Sequence, residues 1–516
     1  MMQNRRDQVQ AHQFVVSRLT SGLLRADPDA PETPTRRTNR GVLAGTLLSV
    51  ILCIGFLVYG FIRPGGATSW RDGGTLLIEK GTGTRYLYDG TLRPVRNYAS
   101  ARLIVGAGMT TDDVSSASLA GTTHGSPVGI EGAPDSYPAA GDLDKGPWEV
   151  CAATKPTESG GLTPSTTLVV DARQGGVFVQ KDQAVLVKGG EGDASYLLWQ
   201  GNRFKLASGA STADALGYGA ATPLRVSAAF LDSLPAGHDL ARPDVPGQGE
   251  RGPELDGMKS RVGQVFTVKN PGSAQHYYLL ERAGLVPITT TQAALALSSP
   301  GVRDKAYAGS IPTAVPLSVN GLSGALAPAA QSGKTQEVGK GLPASPPKLV
   351  PVGDGTSVCE RLAPRAGEGT EVSLMLVDSN AVAVTAVPAE RAMAQALLAP
   401  CLAIDSISVP PSGGSLVRVL GTSGGTVGTT TYLVTDAGVK YRIPTDADAK
   451  ALGFTQSASQ SLPSPLLNML PTGPDLTQQA ALAGRSTAEG TPSCSKHDSA
   501  SVASTHVERG LKDMIE

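Results

Sequence analysis

Aromatic side chains are scarce in this 516-residue chain, at 4%, and charged residues make up only 17%. The formal net charge is −1 and no basic block follows the first 40 residues, so there is no electrostatic footprint for nucleic acid and none is expected as a partner. The six histidines are scattered, and neither H-E-x-x-H nor C-x-x-C occurs, so no metal site is expected. Long apolar runs are absent except for one. Glycine (62) and proline (37) are abundant instead, which describes a loop-rich protein of many short elements. An apolar content of 40% suffices for a core, and the length allows two or three domains.

The exceptional run extends from Gly41 to Ile62. At about 1.5 Å per residue it makes roughly 33 Å of helix, enough to cross a bilayer. It is too long and too far from residue 1 for a secretory signal, and no A-x-A-like cleavage site follows it directly. We read it as an anchor that is retained. The segment before it carries seven arginines (Arg5, Arg6, Arg18, Arg25, Arg36, Arg37, Arg40) against four acids, which favours a cytoplasmic N-terminus.

Beyond the anchor one phrase recurs: an alternating strand ending in aromatic-Leu, a glycine turn, and a second strand. It occurs at Tyr86-Leu87 to Val95, Tyr196-Leu197 to Leu206, Tyr278-Leu279 to Ile288 and Tyr432-Leu433 to Ile443. The second and fourth copies agree further. Leu216-Gly217-Tyr218 answers Leu452-Gly453-Phe454, Leu234-Pro235 answers Leu470-Pro471, and Gly237 answers Gly473, all at an offset of 236 residues. The unit reads as a strand hairpin, a short helix and a Leu-Pro turn. Two other segments also resemble each other. Trp148-Glu149-Val150-Cys151 precedes the apolar stretch Leu168 to Val170 much as Ser357-Val358-Cys359 precedes Leu374 to Leu376.

The expected organisation is therefore α+β and internally duplicated with pseudo-two-fold symmetry. Residues 1–40 hold a cytoplasmic amphipathic helix and linker, and 41–62 the transmembrane helix. Repeat module 1 spans 68–125, the first half of a central domain 146–190, and module 2 193–243. Module 3 spans 261–319, the second central half 350–410, and module 4 414–478. A C-terminal tail, 479–516, is expected to be disordered. The exported part is expected to be elongated and β-rich, with the four modules around the central domain.

Of five cysteines, Cys53 lies in the apolar run and four lie beyond it, which fits an oxidising compartment. Cys151 and Cys359 occupy equivalent positions of the two halves, and equivalent positions near a two-fold axis approach each other. A Cys151–Cys359 bridge is expected, with two buried free thiols as the alternative. Cys401 and Cys494 are candidates for a second, weaker bridge that would tie down the tail.

Motifs for chemistry do not assemble. Gly333-Lys334-Thr335 resembles the end of a phosphate-binding loop, but Pro328 stands where that motif needs glycine, and no buried strand precedes it. Gly421-Thr422-Ser423-Gly424-Gly425 fits G-x-S-x-G formally, yet its context is strand-loop-strand where a nucleophile elbow requires strand-turn-helix. Asp112-Asp113 and Asp446 with Asp448 read as turn and helix-cap residues. No catalytic residue and no cofactor is expected. The N-terminal segment is more informative. From Arg5 to Leu24, Val9, Val16, Leu19 and Leu23 recur at helical spacing, with Phe14 and Val15 widening the apolar face. Asp27-Pro28-Asp29, Pro31 and Pro34 then end the helix. Val9, Phe14, Val16, Leu19 and Leu23 are the candidate docking residues, and the surface they meet is either a partner protein or the inner leaflet.

These features together resemble a known family. The opening Arg6-Asp7-Gln8-Val9-Gln10-Ala11-His12 with Phe14-Val15, the Asp27-Pro28-Asp29-Ala30-Pro31 stop, the single membrane helix and the duplicated Tyr-Leu modules with Leu-Pro turns are similar to EccB. EccB is the membrane component of the type VII (ESX) secretion system of actinobacteria. The resemblance implies a structural and assembly subunit of an oligomeric complex in the cell membrane. It also implies one crossing, an extracytoplasmic C-terminal domain, and assembly with the EccC ATPase, EccD, EccE and a mycosin protease. It carries the bridge across the central domain onto Cys151 and Cys359, whereas Cys401 and Cys494 are additions to the family's usual pair. Some family members bear an ATP-hydrolase label, for which this sequence offers only the imperfect Gly333-Lys334-Thr335. An atypical ATPase is one alternative function, and a membrane-anchored module that binds cell-wall glycan is the other.

Overall fold

The computed structural model describes residues 5–25, 34–62, 69–269, 272, 274–328, 341–364, 370–394, 396–420 and 426–489. Two helices come first, α1 (Arg5–Arg25) and α2 (Pro34–Ile62). Within α2, Thr38–Gly60 is long and apolar enough to cross a membrane, with a mean hydropathy of 2.5 and no residue buried. The helix starts upstream of the apolar run because no breaker separates Pro34 from Gly41. Part of the expected linker is thus helical.

The chain forms two compact units, one from the residues up to Arg93 with Thr110–Gly125, the other from Pro94–Met109 and from Ser126 onward. In the first sheet, Leu92–Pro94, Arg85–Tyr88, Thr75–Glu79 and Thr110–Val114 lie side by side in that order. Thr75–Glu79 is antiparallel to Arg85–Tyr88 and parallel to Thr110–Val114. An antiparallel neighbour needs only a tight turn, supplied here by Gly81 and Gly83 at positive φ, whereas a parallel one needs a crossover, which contains the helix Tyr98–Val105. Trp70, Leu77, Leu92, Val114 and Leu119 form the core, with Tyr88 edge-on to Trp70 at 5.2 Å. Asp112 and Asp113 are exposed on the edge strand and cap nothing, because the parallel return takes up residues that read as a turn.

The second unit contains the same strand order three times. The sheets are Asn202–Lys205, Ala194–Trp199, Gln183–Gly189, Leu224–Val226; then Gly284–Ile288, His276–Glu281, Val265–Val268, Val315–Pro316; then Lys440–Ile443, Thr426–Thr435, Gly414–Leu420, Gln460–Pro463. A short helix lies in each crossover: Ala210–Ala215, Thr290–Leu297 and Asp446–Leu452. One isolated parallel bridge marks the equivalent place in all four sheets: Leu92↔His124, Arg203↔Ala236, Leu285↔Leu326 and Lys440↔Thr472. The Tyr-Leu phrase is only the hairpin at one edge of this unit. Its companion Gln183–Gly189 lies upstream of the module boundary at 193, inside the segment expected to be central. Gln183–Gly189 is covered on both faces and so reads as an apolar run without alternation.

Gly189 marks where this fourth-strand pairing is tightest, since a Cβ there would lie 2.0 Å from the carbonyl oxygen of Val226, its partner in the parallel pair. Gly189→Ala is therefore expected to destabilise the second sheet by about 1–3 kcal/mol through overpacking against backbone. Thermal melting of the full chain checks this, and an unchanged melting temperature would refute the close approach.

A seven-stranded sheet stands between these modules, in the order Val387–Pro388, Ser406–Ser408, Leu162–Val169, Trp148–Pro156, Thr356–Pro364, Thr370–Asp378, Val177–Phe178. Two hairpins, 148–169 and 356–378, meet through the antiparallel pair Trp148–Pro156 and Thr356–Pro364, which puts a local two-fold between Cys151 and Cys359. Alternation sends Trp148, Val150, Ala152, Val358, Leu362 and Leu374 into the main core. That core also takes Val187 and Phe230 of the second module and Leu416, Tyr432 and Leu466 of the fourth. The opposite face holds Cys151, Cys359, Met375 and Val377.

The segment from 479 corrects one expectation. Gln478–Ala483 is a helix whose Thr477 hydroxyl accepts from the Ala480 amide at 3.1 Å, with Leu476 and Ala481 fully buried. It packs on Tyr98–Val105, a partner nearly 380 residues earlier that no local pattern announces. Residues 490–516 of the expected tail lie outside the described residues.

Candidate docking helix and bridged centre

α1 presents its apolar side chains to solvent. Val9 is 57% exposed, Phe14 63%, Val16 48%, Leu19 62% and Leu23 83%. At roughly 100° per residue, Val9, Val16, Leu19 and Leu23 fall within about 80° of arc, whereas Phe14 lies about 180° from the centre of that stripe. Phe14 does not widen the stripe; it forms a second apolar feature on the far side. There Arg18 places its guanidinium 5.9 Å from the Phe14 ring centroid. Phe14, Val15, Arg18, Leu19, Gly22 and Leu23 border a shallow apolar concavity that joins the two.

At the centre of the seven-stranded sheet, Cys151 and Cys359 are directly opposed in register and joined by a disulfide, with Cα atoms 4.0 Å apart. Both are buried. Two residues along, on the same face, Arg361 is opposite Glu149 and donates from Nη1 to its Oε1, while Gln174 Nε2 donates to Oε2 at 2.7 Å. Burial pushes the Glu149 carboxyl above the usual carboxylate range, and the Arg361 guanidinium opposes that shift. Donor atoms of Glu149, Cys151 and Cys359 lie within 4.8 Å of one another. Both sulfurs are taken up by the bridge and Arg361 occupies the carboxylate, so the arrangement is a clasp between the two halves and does not suit a metal ion.

Other sequence candidates fall as follows. Cys401 is half-buried in a segment whose neighbours Leu397 and Leu398 bond to Thr472, while Cys494 lies outside the described residues. Gly333, Lys334 and Thr335 lie outside them as well, as do Gly421–Gly425, which connect the antiparallel strands Gly414–Leu420 and Thr426–Thr435. Asp446 and Asp448 sit in the first turn of Asp446–Leu452. There Asp448 both receives the Thr445 hydroxyl proton at 2.6 Å and accepts from the Gln478 amide at 2.8 Å.

Sequence reading missed two buried charges. Lys440, 1% exposed, donates from Nζ to the carbonyl oxygens of Leu467 at 2.7 Å and Leu470 at 2.6 Å, and burial pushes its amine down to about 7. Glu360 is fully buried, neither carboxylate oxygen has a hydrogen-bond partner, and burial pushes it up to about 7. Flanking apolar residues were the only available signal, Val439 and Tyr441 for one, Val358 and Leu362 for the other.

The profile described as "Type VII secretion system ESX-1, transport TM domain B" matches residues 2–489. The ESX-3 secretion system ATPase EccB3 of Mycolicibacterium smegmatis is 28% identical over 497 residues, covering 92% of this chain and 90% of that protein. The ESX-5 secretion system ATPase EccB5 of Mycobacterium tuberculosis is 28% identical over 504 residues, covering 92% of each. Among solved structures, a chain of an intact ESX-5 inner membrane complex has a TM-score of 0.59 at 23% identity, covering 95% of this chain and 96% of its own. The EccB3 dimer from the ESX-3 core complex has a TM-score of 0.61 at 23% identity, covering 79% of this chain and 99% of its own. At that identity the structural likeness is one of fold, and the sequence match over nearly the whole length places the chain in the EccB family of type VII secretion systems.

Proposed function

We propose that this chain is a structural and assembly subunit of a type VII secretion complex in the cell membrane. The observation that carries this reading is the family match over residues 2–489, which takes in α1, α2 and the whole β-rich part. The excess of arginine before α2 supports a cytoplasmic N-terminus, and the buried disulfide supports placing the β-rich part on the oxidising side. The EccC ATPase, EccD, EccE and a mycosin protease are the partners the family implies. Relatives carry ATPase in their names, but the proposal assigns this chain no hydrolytic step.

The two-sided apolar character of α1 bears on what it docks to. A lipid surface covers one face of a helix, and it would leave either the Val9–Leu23 stripe or Phe14 in water. A groove between partner helices covers both. Burying several such side chains is worth about 1.5–3 kcal/mol each before ordering terms. Deleting residues 5–25 is therefore expected to reduce co-purification with the other complex components from detergent-solubilised membranes by at least about tenfold, equivalent to about 1.4 kcal/mol. Undiminished recovery of the complex would overturn the docking role, and an intact Cys151–Cys359 bridge in the deletion variant would show that the rest still folds.

A further inference from the structure

The second and fourth modules hold their Leu-Pro turns against the edge strand of the hairpin by the same three backbone bonds. In the second, the Arg203 amide donates to Pro235 at 2.9 Å, Gly237 to Arg203 at 2.8 Å and Leu240 to Lys205 at 2.8 Å. In the fourth, Lys440 donates to Pro471 at 3.0 Å, Gly473 to Lys440 at 2.9 Å and Leu476 to Arg442 at 2.8 Å. Ala236, Asp239 and Lys205 therefore correspond to Thr472, Asp475 and Arg442. The tyrosine of the Tyr-Leu phrase is opposite the cation in both, Tyr196 to Lys205 and Tyr432 to Arg442. Because the flanking residues make the bonds to the edge strand, the amide and carbonyl of Ala236 and of Thr472 point away from it.

What covers the two turns differs. In the fourth module Leu397 and Leu398 donate to the Thr472 carbonyl at 2.8 and 3.0 Å, and the Thr472 amide donates to Leu398 at 2.9 Å. Further along, the Asp475 amide donates to the Thr487 carbonyl at 2.6 Å and the Glu489 amide to the Asp475 carboxylate at 3.4 Å, while the Glu489 carboxylate lies 2.7 Å from the Arg442 guanidinium. Residues 471–476 are all buried, and so is Tyr432. In the second module Ala236 and Asp239 are exposed and Tyr196 is only half-buried. Among the described residues, neither the amide and carbonyl of Ala236 nor the Asp239 amide has a backbone partner, and Lys205 has no ion-pair partner. Tyr196, Lys205, Ala236 and Asp239 border an open cavity of about 360 Å³. Of the other charged groups on its rim, Arg203 and Asp232 pair with each other at 2.7 Å and Glu191 is exposed.

We propose that this groove of the second module is a docking site for an extended peptide segment of a partner protein, one that carries a carboxylate side chain. The segment takes the place that Thr487–Glu489 hold on the fourth module. Its carbonyl accepts from the Asp239 amide, its own amide donates to the Asp239 carboxylate, its acid lies against Lys205, and its backbone covers Tyr196. The outward amide and carbonyl of Ala236 add strand-type bonds, as Thr472 does with Leu398. Residues 487–489 are already engaged on the fourth module of their own chain, so the occupant of the second comes from a different protein.

Amide hydrogen exchange on the full-length chain in detergent micelles tests this, with the peptide acetyl-Arg-Ser-Thr-Ala-Glu-amide, the sequence of residues 485–489, as probe. At about four times its dissociation constant the peptide is expected to slow exchange of residues 236–240 about fivefold by mass action, and to leave the covered residues 471–476 unchanged. Lys205 is exposed, so Lys205→Glu leaves the fold intact, and it should weaken the peptide at least about tenfold by setting like charges together. Glutamine in place of the peptide's glutamate should weaken it too. No slowing at up to about 10 mM peptide, or slowing that survives Lys205→Glu or the glutamine peptide undiminished, overturns the proposal. So does protection of residues 236–240 in the peptide-free chain, which would mean that the chain itself or a second copy covers this edge.

Discussion

Replacing both bridge cysteines, as Cys151→Ala with Cys359→Ala, is expected to lower the stability of the β-rich part by about 5 kcal/mol. The bridge closes a sequence separation of 208 residues, and in the chain-entropy account the denatured chain loses correspondingly more freedom when the link is kept. Alanine suits the test because both sites are buried and apolar, so no new polar group is stranded. At roughly 2 °C per kcal/mol for a large domain, the melting temperature should fall by about 10 °C. Reductant added to the folded wild-type chain should do little, because neither sulfur is exposed, and should lower the transition only once unfolding gives access. If the double variant melts with the wild type, the two halves are held by strand pairing and the Glu149–Arg361 clasp alone.

What was legible in the sequence follows from which features are local. The span in α2 needs only composition and length, and the Tyr-Leu hairpins announce themselves because strand, glycine turn and second strand follow within a dozen residues, as in Ala194–Trp199 and Asn202–Lys205. The remaining strands of each sheet were illegible for two reasons. Gln183–Gly189 is covered on both faces, and Leu224–Val226 is three residues long, too short for any period to show. The cysteine positions could be paired from the symmetry of the halves, because a two-fold is a statement about sequence order as well as space. Phe14 was misplaced by counting apolar residues without following the helical angle. Helix Gln478–Ala483 was hidden because its partner, Tyr98–Val105, lies at the other end of the domain. Glu360 and Lys440 were missed for the converse reason. A single charged residue in an apolar strand reads as its solvent side, and only packing on both faces shows that there is none.

Lys440 makes the strongest case for a pH-dependent stability, because the four modules provide an internal comparison. At the place marked by the isolated parallel bridge, the first and third modules have Leu92 and Leu285, both fully buried. The second has Arg203, paired with Asp232 at 2.7 Å. The fourth has Lys440, and at the 236-residue offset Asp232 becomes Asn468, so the carboxylate is replaced by an amide. The amine is left with two backbone carbonyls and, among the described residues, no counterion, and burial lowers it from 10.5 to about 7. Between about pH 7 and 10.5 the unfolded chain then binds the proton that the folded chain has released, so stability rises with pH across this window and the charged form is the penalised one below it. Lys440→Met removes the penalty but leaves the Leu467 and Leu470 carbonyls without their donor, which offsets part of the gain. The net expectation is a variant more stable than wild type at pH 6 by something of order 2 kcal/mol, with a flat profile from pH 7 to 10. Asn468→Asp should act in the opposite way, restoring a pair like Arg203–Asp232, holding the lysine charged and flattening the same limb without removing it. Melting curves of the three chains between pH 6 and 10 decide the matter. A wild-type profile that does not rise, or one that rises equally in Lys440→Met, would mean that Lys440 stays charged in the fold, its ammonium held by the carbonyls at the C-terminal end of Ser464–Asn468.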